Sequence, residues 1–116
     1  MNLEQTPKEL AITCAKILEN NKARDIIILH VTDCIAVTDY FVICSGVTQN
    51  HLRALSNEIE LNLEKSKIKC YGIEGYAEGK WILMDYGDVI VHIYEEEARH
   101  YYELEDLWDD APRESF

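Results

Sequence analysis

The apolar positions of this chain alternate between two periods, and each change of period marks an element. Leu10, Cys14, Ile17 and Leu18 recur at helical spacing. Ahead of them, Thr6-Pro7-Lys8-Glu9 supplies a capping threonine, proline at the first helical position and glutamate at the third. Asn20-Asn21 marks the end of that helix. Asp25 then opens Ile26-Ile27-Ile28-Leu29-His30-Val31, a continuous run that predicts a strand covered on both faces. Residues 32–38 lead to a second strand, Tyr40-Phe41-Val42-Ile43-Cys44, which stops at Ser45-Gly46. A second helix follows with Thr48 at its mouth. Leu52, Leu55, Ile59 and Leu63 line one side of it, and Leu61 falls on the other as a candidate exposed contact. Lys65-Ser66-Lys67 closes it with cations suited to the C-terminal end of the helix dipole.

The second half reads as strands and a last helix. A short strand is expected over 68–71, then a loop over 72–79, where glycine recurs at Gly72, Gly75 and Gly79. Strands over 80–86 and 89–94 pair antiparallel around Gly87-Asp88. From Glu95 the period turns helical: Glu95-Glu96-Glu97 crowd a first turn, and Tyr101, Leu104 and Trp108 form an aromatic and apolar stripe. The order is α-β-β-α-β-β-β-α, an α/β (mixed α+β) fold with the helices gathered on one side of a mixed sheet. Residues 1–108 form one domain, and 109–116 an acidic tail expected to be flexible and to fray.

Composition narrows the chemistry. With 116 residues and 47% apolar content, the chain can bury a core without staples. No apolar run reaches the roughly 20 residues that span a bilayer, and Met1-Asn2-Leu3-Glu4-Gln5 does not open a secretory signal, so a cytoplasmic protein with no membrane partner is expected. Cys14, Cys34, Cys44 and Cys70 show no metal or redox spacing and read as small buried hydrophobes. Twenty-two acids against eleven bases give a net charge of −11, which disfavours direct nucleic-acid binding and leaves either simple solubility or a basic protein partner.

Three features carry candidate chemistry. Ser45-Gly46, after a strand and before a helix, is the place where a nucleotidyltransferase would hold a triphosphate. Such an enzyme also needs paired carboxylates on a strand for divalent metal, and no D-x-D occurs. Glu58/Glu60 and Glu103/Glu105 fall on helices, where residues two apart diverge, and Asp85 and Asp88 straddle a turn. His30 and His92 lie in apolar strands and read as buried histidines bonded to a neighbour, while His51 packs or caps at the start of the second helix. No nucleophile–base pair can be assembled, so no catalytic, cofactor-binding or metal site is expected. Trp81 is the third feature. It shares a strand face with Leu83 and Asp85, opposite Ile82, Met84 and Tyr86. Either that face is open and Trp81 is an interface anchor, or the last helix covers it.

Thr38-Asp39-Tyr40-Phe41-Val42-Ile43-Cys44-Ser45-Gly46, His51, Gly72-Ile73-Glu74-Gly75, Trp81, Asp85, Gly87-Asp88-Val89-Ile90-Val91-His92, Arg99, Tyr102, Leu104, Glu105, Leu107 and Trp108 together resemble the ribosomal silencing factor family, also called Iojap. The resemblance runs from the first helix through Trp108 and leaves the acidic tail outside. It implies a nucleotidyltransferase-like fold without catalysis. It also implies binding to the large ribosomal subunit through universal large-subunit protein fourteen, a basic protein on the face that meets the small subunit, so that the subunits stay apart. On this chain the implied contact residues are Trp81 and Asp85, with Leu83, Tyr86 and Glu74 added by proximity. An apolar Trp81–Leu83 face would also favour a homodimer in the free protein. The alternative is a nucleotide-binding enzyme that uses Ser45-Gly46.

Overall fold

Helix α1 (Pro7–Asn20) begins where two reciprocal bonds form. The Thr6 hydroxyl accepts the Glu9 N–H at 3.1 Å, and the Glu9 carboxylate accepts the Thr6 N–H at 2.9 Å. Those bonds hold the Glu9 carboxyl below the ordinary carboxylate range. The helix ends with Lys22 in the left-handed region and the Ala23 N–H bonded back to the Leu18 carbonyl at 3.0 Å. Helix α2 (Gln49–Lys65) is capped by Thr48 and closes the same way, with Lys67 left-handed and Ile68 bonded to Leu63. This computed structural model describes residues 6–33, 37–97 and 111–116. Cys34 and the stripe of the expected last helix, Tyr101, Leu104 and Trp108, lie outside them.

The strands are β1 (Arg24–His30), β2 (Tyr40–Gly46), β3 (Gly72–Glu74), β4 (Trp81–Asp85), β5 (Val89–Glu95) and β6 (Arg113–Glu114). They form one six-stranded sheet in the order β3-β4-β5-β2-β1-β6. Only β2 and β5 run parallel, and the other neighbours are antiparallel. The expected mixed α/β architecture is therefore present, with α1 and α2 on the same face. Leu10, Cys14, Leu18, Leu52, Leu55, Ile59 and Leu63 from the helices bury against Ile28, Val42, Val91, Ile93, Ile82 and Met84 from the strands. A second apolar cluster occupies the other face, where Leu29, Phe41, Ile43 and Tyr94 meet Ala111. Thus β1 is covered on both faces, as its sequence predicts. Its start is irregular: Asp25 adopts positive φ beside a register shift between Arg24 and Ile27.

Two expectations need correction. The third strand is not at 68–71. Ile68 still closes α2, and pairing begins when the Tyr71 N–H reaches the Asp85 carbonyl at 2.7 Å, so β3 falls in the stretch read as loop. An edge strand needs only a neighbour's free backbone groups, and Gly72-Ile73-Glu74 supplies them without any strand-like side-chain pattern. The tail does not fray over 111–114 either. Arg113 pairs with Leu29 and Glu114 with Ile28, the His30 N–H donates to the Pro112 carbonyl at 2.8 Å, and Ala111 is buried. Glu114 also meets Lys8 of α1 at 3.4 Å.

Deleting residues 111–116 is therefore expected to lower unfolding free energy by about 1–3 kcal/mol, the contribution of a few backbone bonds and a buried contact. Urea titration checks this, and an unchanged midpoint would mean that β6 contributes nothing.

Candidate interaction site on strand β4

Strand β4 alternates as its sequence predicts. Ile82 and Met84 are buried under the helices, while Trp81, Leu83 and Asp85 are half-buried on the far face. Cross-strand register extends that face into rows. Glu74 stands opposite Leu83, which stands opposite His92; Trp81 faces Tyr94, and Asp85 faces Ile90. Along β3, β4 and β5 this face carries the carboxylates of Glu74 and Asp85 and neither lysine nor arginine. Asp85 has a second duty: its Oδ1 accepts the Gly87 N–H at 2.8 Å and so holds the turn into β5, where Gly87 has positive φ. Tyr86 does not join the site. It is 5% exposed and packs in the helix-side core, where burial raises its phenol pKa.

Trp81 is held from two directions. Its ring stacks on Tyr94 with centroids 4.9 Å apart, and its Nε1–H donates to Nδ1 of His92 at 3.1 Å. His92 is 4% exposed, and burial lowers its pKa to about 4, so the ring is neutral with its proton on Nε2. The buried, hydrogen-bonded reading of His92 thus agrees with the geometry. His30 differs, because it is half-buried and stacks on Tyr40 at 4.6 Å.

The turn that delivers Trp81 is fastened to α2, which sequence reading missed. Arg53 donates from Nε to the Tyr76 carbonyl at 2.9 Å and from Nη2 to the Ala77 carbonyl at 2.6 Å. The Tyr76 hydroxyl reaches Asn57 at 3.2 Å. Gly75 has φ +82°, and a Cβ there would run into the Trp81 carbonyl oxygen. The glycines bracketing 75–79 were the available signal; nothing in the sequence pointed to Arg53, which is 23 positions from Tyr76.

Ser45 and Gly46 are buried at the end of β2. Ser45 is 1% exposed, and a Cβ on Gly46 would lie 2.7 Å from Leu52. His51 fills the mouth of α2: its Nδ1 accepts the Val47 N–H at 3.3 Å and its Nε2–H donates to the Asn21 carbonyl at 3.0 Å. Thr48 takes the next donor, the His51 N–H, at 3.0 Å. Two amides at this turn, those of Val47 and His51, are thus bonded to side chains of the protein. Among the described residues no three His, Cys, Asp or Glu side chains converge as a metal site. Cys14 and Cys44 are buried thiols, with Cys14 raised to about 12 by burial, and Cys70 is half-buried. No described helix is long and apolar enough to cross a membrane.

The state of His92 sets a pH dependence. Its folded pKa, about 4, lies below the model-peptide 6.5. Stability tied to neutral His92 is therefore complete above pH 6.5 and lost as pH falls towards 4, by about 3 kcal/mol in all. Unfolding free energies of the parent and His92→Phe should diverge on acidification through that window, because only the parent loses stability there, and parallel curves would contradict the assignment.

The sequence model of the family described as "Ribosomal silencing factor during starvation" matches residues 4–116, so the tail falls inside the family pattern, contrary to expectation. The ribosomal silencing factor of Bacillus subtilis is 37% identical over 97% of this chain and 92% of its own. The mouse mitochondrial assembly of ribosomal large subunit protein 1 is 36% identical over 79% of this chain and 42% of its own. A crystal structure of a Chromobacterium violaceum protein superposes with a TM-score of 0.87 at 30% identity, covering 96% of this chain and 92% of that one. The mixed sheet with its two helices and a match along nearly all of the chain agree: the chain belongs to the ribosomal silencing factor family.

Proposed function

We propose that this chain silences translation by steric exclusion and is not an enzyme. It docks on the large ribosomal subunit through universal large-subunit protein fourteen, and the small subunit then cannot join. Relatives named ribosomal silencing factor, and one named for assembly of the ribosomal large subunit, support the reading. The observation that carries it is the strip of Trp81 and Leu83 between Glu74 and Asp85, an apolar centre with an anionic rim. A basic protein surface complements such a strip, and a half-buried tryptophan already held in place suits a central anchor. Trp81 and Asp85 are the principal contacts, with Leu83 and Glu74 beside them. The reading places the protein in the cytoplasm with the translating ribosomes.

Trp81→Ala is expected to weaken large-subunit binding by about 2–4 kcal/mol, roughly thirty- to a thousandfold. For Asp85 the informative change is Asp85→Asn, which keeps an acceptor for the Gly87 N–H and removes only the charge; it should lower affinity about tenfold. Co-sedimentation with large subunits, with circular dichroism to confirm folding, measures both. Folded variants that sediment with the subunit like the parent would place the contact elsewhere.

The same face supports a second proposal: the free protein pairs as a homodimer, burying Trp81 and Leu83 until the ribosome takes them. Light scattering at tens of micromolar should give a dimer mass for the parent and a monomer mass for Trp81→Ala. A monomeric parent would remove the proposal.

A further inference from the structure

We infer that His92 is a positioning residue for docking, holding the Trp81 indole in the one orientation that the partner reads. This rests on the docking role given to Trp81 above. His92 itself is buried and cannot reach a partner, so any effect it has must travel through a neighbour. Its ring is immobilised: Leu83 and Ile43 flank it in register, and Phe41 meets it edge-on at 4.8 Å. From that fixed point Nδ1 takes the indole proton, while Tyr94 supports the indole face. An anchor held by a stack and a bond at right angles to it has lost its rotamer freedom before the partner arrives.

A second observation separates this role from packing. Nε2 of His92 is buried and has no hydrogen-bond partner. A buried orphan donor costs about 1–3 kcal/mol, and an apolar ring of similar size would remove that cost. Histidine at position 92 is therefore a poor choice for stability alone. What it supplies, and phenylalanine does not, is an acceptor at Nδ1. Without that acceptor the indole loses the bond that fixes its in-plane orientation.

The experiment compares His92→Phe, His92→Asn and the parent. In ¹H–¹⁵N spectra the Trp81 indole signal is assigned by its loss in Trp81→Phe. It should exchange with solvent on the order of tenfold faster in His92→Phe. Large-subunit affinity should fall about five- to twentyfold in His92→Phe, the contribution of one ordered hydrogen bond, while its unfolding midpoint at pH 7.5 stays level or rises. His92→Asn, whose side-chain oxygen can stand where Nδ1 stood, should restore most of the affinity. If His92→Phe unfolds, replacing Trp81 by 3-benzothienylalanine removes the donor without touching His92 and should cost the same affinity. A folded His92→Phe that binds like the parent overturns the inference, and so does an equal loss in His92→Phe and His92→Asn. A parent that does not bind large subunits sinks the docking role itself, and the indole spectra then decide separately whether His92 fixes the ring.

Discussion

Strand β2 is buried along its whole length, and the rest of the fold follows from that. A buried peptide group must be bonded, so every N–H and C=O from Tyr40 to Gly46 needs a strand on one side or the other. β1 supplies the antiparallel side and β5 the parallel one. A parallel neighbour cannot be reached by a tight turn, and the chain must cross a face of the sheet to come back. α2 makes that crossing, and β3 and β4 are laid down outside β5 on the way. The alternation along β2 feeds two cores at once: Val42 and Cys44 look to the helices, and Phe41 and Ile43 to the other face. The proposed partner strip is the outer margin of that second face, where apolar residues give way to Glu74 and Asp85.

What could be read from the sequence was what side-chain period encodes locally. α1, α2, β2, β4 and β5 each bury enough alternating or helical apolar surface to announce themselves. β3 and β6 could not be read, because three and two residues at the sheet edges are specified by their neighbours' unpaired backbone. The site shows the same division. Alternation along β4 correctly separated Trp81, Leu83 and Asp85 from Ile82, Met84 and Tyr86. Adding Tyr86 to the contact set by closeness in sequence overrode that rule, and the structure sides with the rule. Arg53 and the bond from Trp81 to His92 join residues distant in sequence, so no local pattern foretold them.

Several residues that carry the family resemblance turn out to shape the scaffold. Ser45 and Gly46 are where β2 passes under Leu52, and His51 ties that turn to the end of α1. Gly75 is the point where the 75–79 turn passes against the Trp81 backbone. A motif at a strand-to-helix junction thus has two physical explanations, an open cradle of amides or a packed corner. Here Leu52 and His51 pack against the corner.

The ion pair of Lys8 with Glu114 has a practical reading. It sets both residues on the β6 margin of the sheet, five strand positions from β3, or roughly 24 Å at ordinary strand spacing. A fluorophore or affinity handle attached beside either one would stand at the opposite side of the molecule from the Trp81 strip. Labelled protein should therefore report on ribosome encounters without its label sharing the contact, and the same margin leaves room for a fused domain while the opposite edge is engaged.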